Sequence, residues 1–316
     1  MRRVILKNEI FRLTVVPGVG GKITHVSTRR SKRNWLWENP SLDLHVPRYG
    51  ESFVERLDTG GWDEILPSVA PDHVQLHPRG AAVDVPDHGD LVSLPWTVAA
   101  ANPSRLALSV ALRYAPLRFF RVIELVDGSV SLHYRLQNDG GDPIPWMWCA
   151  HPLFALAPGM QILVPEGSAM RIEGALGEGI DDSFRNRTLH WPWFEGARGR
   201  ACLNPVPDLR SGEFLPVALK LFSRPGMVNR VGLASLDGTE TLWLSWSTRI
   251  VSTLGLWLNL GAWSGAPGRP YFNVGIEPGT ADAESLSAAI ATGQARTISG
   301  GESVQWSLSL ALESRG

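Results

Sequence analysis

The stretch Arg105-Leu-Ala-Leu-Ser-Val-Ala-Leu-Arg-Tyr114 alternates apolar with small or polar residues at a period of two. In an extended chain its large apolar members all point to one side: Leu106, Leu108, Val110 and Leu112. This alternation is typical of an antiparallel strand that packs one face on a core and leaves the other face near water. The stretch therefore predicts a β-sheet protein.

The same period recurs along the chain. It is clearest at 130–137 and 304–310, and further strands are predicted at 10–16, 21–28, 118–126, 216–222, 229–236, 240–247 and 254–260. Asp127-Gly128 and Asp237-Gly238 lie between predicted strands and favour hairpins there. No clean linker or short repeat interrupts the pattern. We therefore expect an all-β fold of two large packed antiparallel sheets, in one domain over 1–316.

One short helix is predicted over 282–292, because Leu286, Ala289 and Ile290 would share a face. Thr280 or Asp282 is expected to cap its start, and Gly293 to end it. No longer segment has a helical period.

Composition excludes several classes of protein. The chain has 316 residues, of which 44% are apolar and 19% charged, so it can bury a core and is not disordered. Its net charge of −1 argues against a nucleic-acid or anionic-membrane partner. The start lacks an apolar leader segment, and no stretch is long enough to span a bilayer, which indicates a cytoplasmic protein. The sequence gives no indication of oligomeric state.

A carboxylate closes the apolar run Tyr271-Phe-Asn-Val-Gly-Ile-Glu277-Pro-Gly-Thr280. Pro278 and Gly279 are expected to end the strand directly after Glu277. A carboxylate at the end of a buried strand is costly unless something uses it, which makes Glu277 a candidate functional group. The alternative is a strand-end glutamate in water.

Two histidines are candidate acid or base groups. His88 precedes Gly89 in a loop, where its ring could enter a cleft or simply lie on the surface. His151 lies in the apolar run Trp146-Met-Trp-Cys-Ala-His-Pro-Leu-Phe154, so burial should lower its pKa. Such a group can act as a general acid or base, or it can be a core histidine bonded to a backbone carbonyl.

Four further residues could contact a sugar. Trp62 and Asp63 follow the turn Gly60-Gly61, and a tryptophan stacks on sugar rings while an aspartate accepts hydroxyl hydrogen bonds. Asp63 could instead satisfy nearby backbone amides. Lys220 and Arg249 are cations in predicted strand segments that could reach into a cleft or extend into solvent.

The sequence predicts neither a metal nor a cofactor. His73 and His77 have helical metal-ligand spacing, but Pro71 and Pro78 bracket them in a segment without helical period. The two cysteines, Cys149 and Cys202, have no Cys-x-x-Cys partners. The glycine-rich segments lack the strand and helix that a dinucleotide fingerprint requires, and no phosphate-binding loop occurs.

Taken together, these segments resemble the aldose 1-epimerase (galactose mutarotase-like) family over nearly the whole chain. The similar segments, in order, are Leu13–Ile23, Trp35–Pro40, Gly60–Pro67, His88-Gly89 with Leu94–Trp96, His151–Phe154, Gly275–Pro278, and Gly300–Glu302 before the last strand. The resemblance implies a galactose mutarotase-like β-supersandwich with a sugar site in a cleft across one sheet.

The resemblance also implies a cofactor-free reaction that interconverts the α and β anomers of a small-molecule sugar. It implies that Glu277 takes the anomeric hydroxyl proton, that His151 protonates the ring oxygen, and that His88 helps to hold that oxygen. Val92 stands where relatives acting on hexose 6-phosphates typically carry an arginine. We therefore expect an aldose 1-epimerase or related sugar epimerase, the alternative being a non-catalytic carbohydrate-binding or regulatory protein on the same fold.

Overall fold

The computed structural model describes residues 1–77, 80–265 and 269–314. Strands dominate these ranges, in chain order β1 (Val4–Lys7), β2 (Phe11–Val16), β3 (Lys22–Thr28), β4 (Trp62–Ile65), β5 (Asp72–Gln75), β6 (Ala82–Val85), β7 (Thr97–Ala101), β8 (Arg105–Ala111), β9 (Leu117–Val126), β10 (Ser129–Asn138), β11 (Ile144–Trp146), β12 (Cys149–Ala155), β13 (Gln161–Leu163), β14 (Ala169–Gly177), β15 (Thr188–His190), β16 (Trp193–Gly196), β17 (Gly199–Cys202), β18 (Val217–Ser223), β19 (Arg230–Ala234), β20 (Glu240–Trp246), β21 (Thr253–Leu260), β22 (Phe272–Gly279), β23 (Arg296–Ile298) and β24 (Ser303–Ser314).

Helical structure is sparse in the described residues. Helix α1 spans Leu286–Ala291, a π-helical turn spans Phe53–Leu57, and 3-10 turns span Asp182–Phe184 and Leu209–Ser211. None of the described helices is both long and apolar enough to cross a membrane.

Two large antiparallel sheets form the body of the molecule. The first has twelve strands in the order β1-β2-β3-β4-β12-β22-β21-β18-β14-β15-β16-β17, and the second has eight in the order β13-β19-β20-β24-β10-β9-β8-β7. Two-stranded sheets of β11 with β23 and of β5 with β6 complete the described architecture. The all-β prediction is confirmed, as are the strands predicted from alternation.

The alternation of apolar residues determines which face of each strand packs into the core. On β8, Leu106, Leu108 and Val110 are buried, while the residues between them are at least partly accessible. The apolar faces of both sheets contribute to one large cluster of buried side chains. Both predicted hairpins form, and at the first of them Asp127 and Gly128 adopt the positive φ angles of 36° and 84° that a tight two-residue turn requires.

Glu277 does not end its strand, contrary to the sequence-based expectation. Strand β22 continues through Pro278, which lies opposite Leu254 on β21, to Gly279. Proline removes one ladder donor, but Gly279 still pairs with β12 and β21 on either side, so the sheet continues. Glu277 is therefore held within a central strand, which fixes its backbone more firmly than a strand end would.

The helix prediction needs two corrections. Helix α1 is capped by Ser285, whose hydroxyl accepts from the amide of Ala288 at 3.2 Å, and not by Thr280 or Asp282. The Thr280 hydroxyl instead accepts from the amide of Trp148 at 2.9 Å. Of the predicted buried face, Leu286 and Ala289 are buried, whereas Ile290 is 40% exposed because the helix rests on the core along its i, i+3 line.

A buried polar group joins the two sheets. Glu64 of β4 accepts from Arg121 of β9 at 3.0 Å and from Tyr134 of β10 at 2.9 Å. Trp148 donates to its other oxygen at 3.1 Å. Glu64 and Arg121 have no exposed side-chain surface, so this network fixes the position of one sheet relative to the other.

Candidate functional site

Four neighbouring strands of the twelve-stranded sheet, β12, β22, β21 and β18, present chemically active side chains on one face. His151 comes from β12, Glu277 from β22, Trp257 from β21 and Lys220 from β18. The pairing of Lys220 with Trp257, and of Trp257 with Gly275, brings these residues into register across the sheet. Side chains of paired residues point the same way, so they meet above the sheet.

They line a cleft of about 240 Å³. Its walls are formed by Phe53, Val54, Asp58, Val69, His88, His151, Leu153, Lys220, Trp257, Trp263, Glu277 and Glu284. Three hollows elsewhere, of about 430, 590 and 380 Å³, are larger, but no buried carboxylate of the described residues lines them. The combination of a buried carboxylate, two imidazoles and aromatic walls makes the smaller cleft the candidate site.

Glu277 forms the floor of the cleft, and its side chain is only 2% exposed. One carboxylate oxygen accepts a hydrogen bond from the Lys220 ammonium, and the other, Oε1, lies 3.7 Å from His151 Nε2. Burial raises the pKa of Glu277 above that of an ordinary glutamate, and the charge and hydrogen bond of Lys220 oppose that rise. Lys220 thus stabilises the ionised form that a general base needs.

Glu284 is a second partner of Lys220, with Oε1 at 3.5 Å from the ammonium. Burial alone would lower the pKa of Lys220, but the charges of Glu277 and Glu284 raise it well above its usual value. Lys220 is therefore a fixed positive charge that is already shared between two carboxylates. It lines the cleft as predicted, but its ammonium is occupied by protein groups.

Two glycines make room for the Glu277 side chain. A Cβ on Gly275 would lie 2.7 Å from Glu277 Oε1, and a Cβ on Gly255 would lie 3.3 Å from Oε2. The first distance is shorter than real Cβ contacts, so a side chain at 275 would require the Glu277 carboxylate to move. Strands β21 and β22 thus form a slot that holds the carboxylate against the sheet.

His151 is buried at the edge of this slot. Burial first, and then the positive charges of His88, Lys220 and Lys22, hold the pKa of His151 well below its ordinary value. Its Nδ1 is buried and has no hydrogen-bond partner among the described residues. His151 is therefore a neutral imidazole at neutral pH, and not a core histidine bonded to a carbonyl.

His88 faces His151 from a loop, with the two ring centroids 5.4 Å apart. Its ring stacks on Phe53 at 3.7 Å, and its Nδ1 lies 2.8 Å from a carboxylate oxygen of Asp87. His88 is 9% exposed, so it is a cleft residue and not a surface-loop histidine.

The structure places three of the other predicted residues away from the cleft. Trp62 is 1% exposed and belongs to the core, because it points to the opposite face of β4 from Asp63. Asp63 pairs with His151 across the strands, but its carboxylate is buried against the Lys22 ammonium at 2.7 Å. Arg249 lies exposed in a turn after β20, where its carbonyl accepts from Arg296 at 3.2 Å. These three expected sugar contacts are therefore corrected.

Several cleft residues were not predicted from the sequence. Trp257 and Trp263 meet edge to face at 6.2 Å and form an aromatic wall. Burial raises the pKa of Asp58 to about 6, against the opposing charges of Lys22 and His88. Trp257 sits within a predicted strand, and its alternation with Leu256 and Leu258 could have revealed that it faces away from the core. Phe53 begins the π-helical turn Phe53–Leu57 and Asp58 follows it, and a single turn is too short to carry a periodic signal.

Within the described residues, no three His, Cys, Asp or Glu side chains gather in an arrangement that could hold a metal ion. The chemistry that the cleft offers is proton transfer between a carboxylate and two imidazoles. Aromatic surface beside those groups suits the apolar face of a sugar ring.

The chain is similar over nearly its full length to several solved structures. The Slr1438 protein from Synechocystis sp. PCC 6803 matches with a TM-score of 0.70 at 18% identity, covering 99% of this chain and 96% of that chain. A galactose mutarotase related enzyme from Lactobacillus acidophilus matches with a TM-score of 0.68 at 14% identity, covering 99% and 98%. A galactose mutarotase-like protein from Clostridium acetobutylicum matches with a TM-score of 0.68 at 14% identity, covering 99% and 95%.

No family model matches the sequence. No curated protein matches it either. At these sequence identities the similarity shows a shared fold, and it covers nearly the whole chain. This chain has the galactose mutarotase-like β-sandwich fold.

Proposed function

We propose that the protein is an aldose 1-epimerase, or a related sugar epimerase, that interconverts the α and β anomers of a sugar in the cleft above β12, β22, β21 and β18. The observation that carries the proposal is the convergence of Glu277, His151 and His88 on one cleft from distant parts of the chain. The names of the similar structures point to the same chemistry.

The reaction needs a base and an acid close together. The anomeric hydroxyl O1 and the ring oxygen O5 are both bonded to C1, so the two protein groups that serve them must be near neighbours. Glu277 Oε1 and His151 Nε2 are 3.7 Å apart, and His88 adjoins His151. The ring opens when a carboxylate accepts the O1 proton while an imidazole donates a proton to O5. This step needs neither a metal nor a nucleotide.

The charges of the cleft favour an uncharged sugar. Asp58, Glu277 and Glu284 supply three carboxylates, whereas Lys220 is already engaged by two of them. A phosphorylated sugar would meet these carboxylates without a free cation in the described cleft wall. Trp257 and Trp263 offer aromatic surface on which the ring can stack.

The ion pair of Glu277 with Lys220 favours a second candidate, which is sugar binding without turnover. A carboxylate bonded to an ammonium is a weaker base than a free one. Carbohydrate binding in a cleft that no longer opens the ring would suit a regulatory protein.

Two measurements on the same sugars separate these candidates. The first is the optical rotation of freshly dissolved α-aldoses with and without the protein, and the second is calorimetric binding. The epimerase proposal expects at least one uncharged aldose to equilibrate faster with protein than without it. Binding without any acceleration would leave the second candidate, and neither effect on any aldose would remove both.

A further inference from the structure

Asp58 has an unpaired carboxylate oxygen on the wall of the cleft. The residue is 9% exposed and lines the cleft, and its Oδ1 is buried without a hydrogen-bond partner among the described residues. A buried polar atom without a partner is costly, and most such atoms in folded proteins are paired. Because Asp58 lines the cleft, a molecule bound there can supply the donor that the protein does not.

The charge of Asp58 is not matched by an ion pair in the described part of the chain. The charge of Lys22 acts on Asp58, but the Lys22 ammonium contacts Asp63 at 2.7 Å. That ammonium also donates to the carbonyl of Gly60 at 2.9 Å and to Thr59 Oγ1 at 3.2 Å, which accounts for its three N–H groups. Lys22 is therefore the partner of Asp63, and Asp58 is left to the cleft.

The backbone holds the Asp58 carboxylate in place. The amide of Asp58 donates to the carbonyl of Phe53 at 2.8 Å, at the end of the π-helical turn. Its carbonyl accepts from the Asn39 side-chain amide at 2.7 Å, and that amide also donates to the Tyr271 hydroxyl at 2.8 Å. Asp58 is thus an anchored part of the cleft wall, so little ordering is needed when a ligand contacts it.

Burial makes the charge of Asp58 costly in the free protein. It raises the pKa of Asp58 to about 6, although the charges of Lys22 and His88 oppose the rise. Above that pH the carboxylate is ionised, and a hydroxyl donates a stronger hydrogen bond to an ionised oxygen than to a neutral one. A sugar hydroxyl that reaches Oδ1 therefore gains a strong contact and relieves the unpaired charge.

The order of the strands places Asp58 on the far side of His151 from Glu277. Glu277 lies on β22, His151 lies on the neighbouring β12, and Asp58 precedes β4, the next strand in that direction. Phe53, which begins the turn before Asp58, stacks on His88 at 3.7 Å, and His88 adjoins His151. Glu277 and Asp58 thus lie on opposite sides of His151.

This arrangement matches the order of atoms in a pyranose. The proposed reaction puts O1 at Glu277 and O5 at His151, and O5 connects C1 to C5, which carries the hydroxymethyl group of an aldohexose. Strands β22 and β4 are two strand spacings apart, about 10 Å, so one sugar can contact both sides of the cleft. The 6-hydroxyl then lies on the side of Asp58.

We propose that Asp58 is a specificity-determining residue whose Oδ1 accepts a hydrogen bond from the primary 6-hydroxyl of an aldohexose. This inference rests on the proposed epimerase function. Sugars that lack this hydroxyl, such as 6-deoxyhexoses and pentoses, leave the carboxylate unpaired and react more slowly. A 6-phosphate replaces the hydroxyl donor and brings a second negative charge to the same carboxylate.

The test compares hexoses with their 6-deoxy analogues. Optical rotation gives kcat/KM for D-glucose against 6-deoxy-D-glucose, and for D-galactose against 6-deoxy-D-galactose, in the wild type, Asp58→Asn and Asp58→Ala. Glu55→Ala is the matched control, because Glu55 is an exposed carboxylate in the preceding turn that does not line the cleft. Urea unfolding at pH 8 gives the stability of each protein.

In the wild type we expect kcat/KM of at least one hexose to exceed that of its 6-deoxy analogue about 10–100-fold, as for a hydrogen bond to a charged group. Asp58→Ala should bring this ratio close to one, chiefly by slowing the hexose. Asp58→Asn should lower the ratio part of the way, since its amide oxygen still accepts, and Glu55→Ala should keep the wild-type ratio.

The stability of Asp58→Asn separates this role from a structural one. The folded-state pKa of Asp58 lies above the ordinary value of 3.8, so the native state binds more protons than the unfolded state, and the ionised carboxylate opposes folding at pH 8. Asp58→Asn removes that charge and should unfold at a urea concentration equal to or higher than the wild type. A less stable Asp58→Asn with the wild-type ratio would show that the carboxylate serves the fold, and would overturn the inference.

The inference is also overturned if the ratio is close to one in the wild type, or if Asp58→Ala leaves it unchanged. Should Asp58→Ala not fold, an unchanged ratio in Asp58→Asn overturns it. If hexoses react and the ratio does not depend on Asp58, this inference fails and the epimerase proposal stands. If no sugar is turned over, the epimerase proposal fails, and calorimetric binding constants of the same sugars give the ratio. If no sugar binds either, the inference fails with it.

Discussion

In the proposed reaction Glu277 is the base, and the Lys220 ammonium favours its ionised form. The carboxylate is 2% exposed, and burial alone would keep it protonated into a higher pH range. The ammonium opposes this by direct hydrogen bonding and by charge. The lysine that the sequence indicated as a sugar contact therefore acts on the proposed base.

Lys220→Met should move the acidic limb of the kcat/KM profile to higher pH. A base works only above its pKa, and removing the ammonium raises the pKa of Glu277, so activity should be lost near pH 7 and recovered in alkaline solution. If the limb rises by about one pH unit, the rate at any pH below it falls about tenfold. Lys7→Met on the exposed face of β1 is the control, and an acidic limb that stays in place in Lys220→Met would contradict this role.

The sequence predicted some cleft residues and misplaced others for a common reason. Glu277 and His151 could be identified because each is a polar group inside an apolar run, where burying the group is costly unless something uses it. Trp62 and Asp63 were expected together, yet neighbours on a strand point to opposite faces, so at most one of them could reach the cleft. Asp63 faces that side but is neutralised by Lys22, a contact between distant segments that no local pattern reveals.

Strands β21 and β22 act as one element at the site, since their glycines accommodate the Glu277 carboxylate. The strand pattern 254–260 was predictable from alternation, but the purpose of Gly255 and Gly275 was not. Their role depends on which residue lies opposite them across the sheet, and that register is set by the whole fold. Likewise α1 was predictable from its apolar spacing, whereas its start at Leu286, and with it the cap at Ser285, was not.

Gly275→Ala should displace the carboxylate and slow turnover by about tenfold or more, because small misplacements of a catalytic group are costly. The new methyl group would meet Glu277 Oε1 at 2.7 Å and Trp257 Cβ at 3.2 Å. The free energy of unfolding should fall by about 1–3 kcal/mol, as expected for overpacking. Gly18→Ala, where a Cβ meets nothing within 4 Å, is the control. If kcat/KM of Gly275→Ala equals that of the wild type, the slot does not position the base.

At the scale of the whole molecule, the two sheets are joined by the buried Glu64 network. Burial raises the pKa of Glu64 to about 7, even though Arg121, Tyr134 and Trp148 all stabilise its ionised form. The general architecture of two packed sheets was predictable from alternation, because each strand buries one face. The charged contact between the two sheets was not predictable, since Glu64 and Arg121 are 57 positions apart in the sequence.

Arg121→Met should lower the free energy of unfolding by about 3–5 kcal/mol near pH 8, since it leaves Glu64 buried without its counter-charge. The raised folded pKa means that the native state binds more protons than the unfolded state, so stability falls as pH rises from about 4.5 through the folded value. The loss should therefore be smaller at pH 5 than at pH 8. Urea unfolding at both pH values measures it.

The double variant Glu64→Gln with Arg121→Met is the matched comparison for that loss. It removes the charge that Arg121→Met leaves behind, and it should recover part of the stability at pH 8. Equal stability of the single and double variants at both pH values would mean that the Glu64 charge is not what the arginine compensates.

The epimerase proposal is tested most directly by the rate at which freshly dissolved α-aldoses reach equilibrium with the wild type and with Glu277→Gln. Glutamine keeps the shape of the side chain and cannot take a proton. We expect the wild type to accelerate at least one uncharged aldose, and Glu277→Gln to be slower by about 10²–10⁴-fold. Equal rates for the two proteins on every aldose would contradict it.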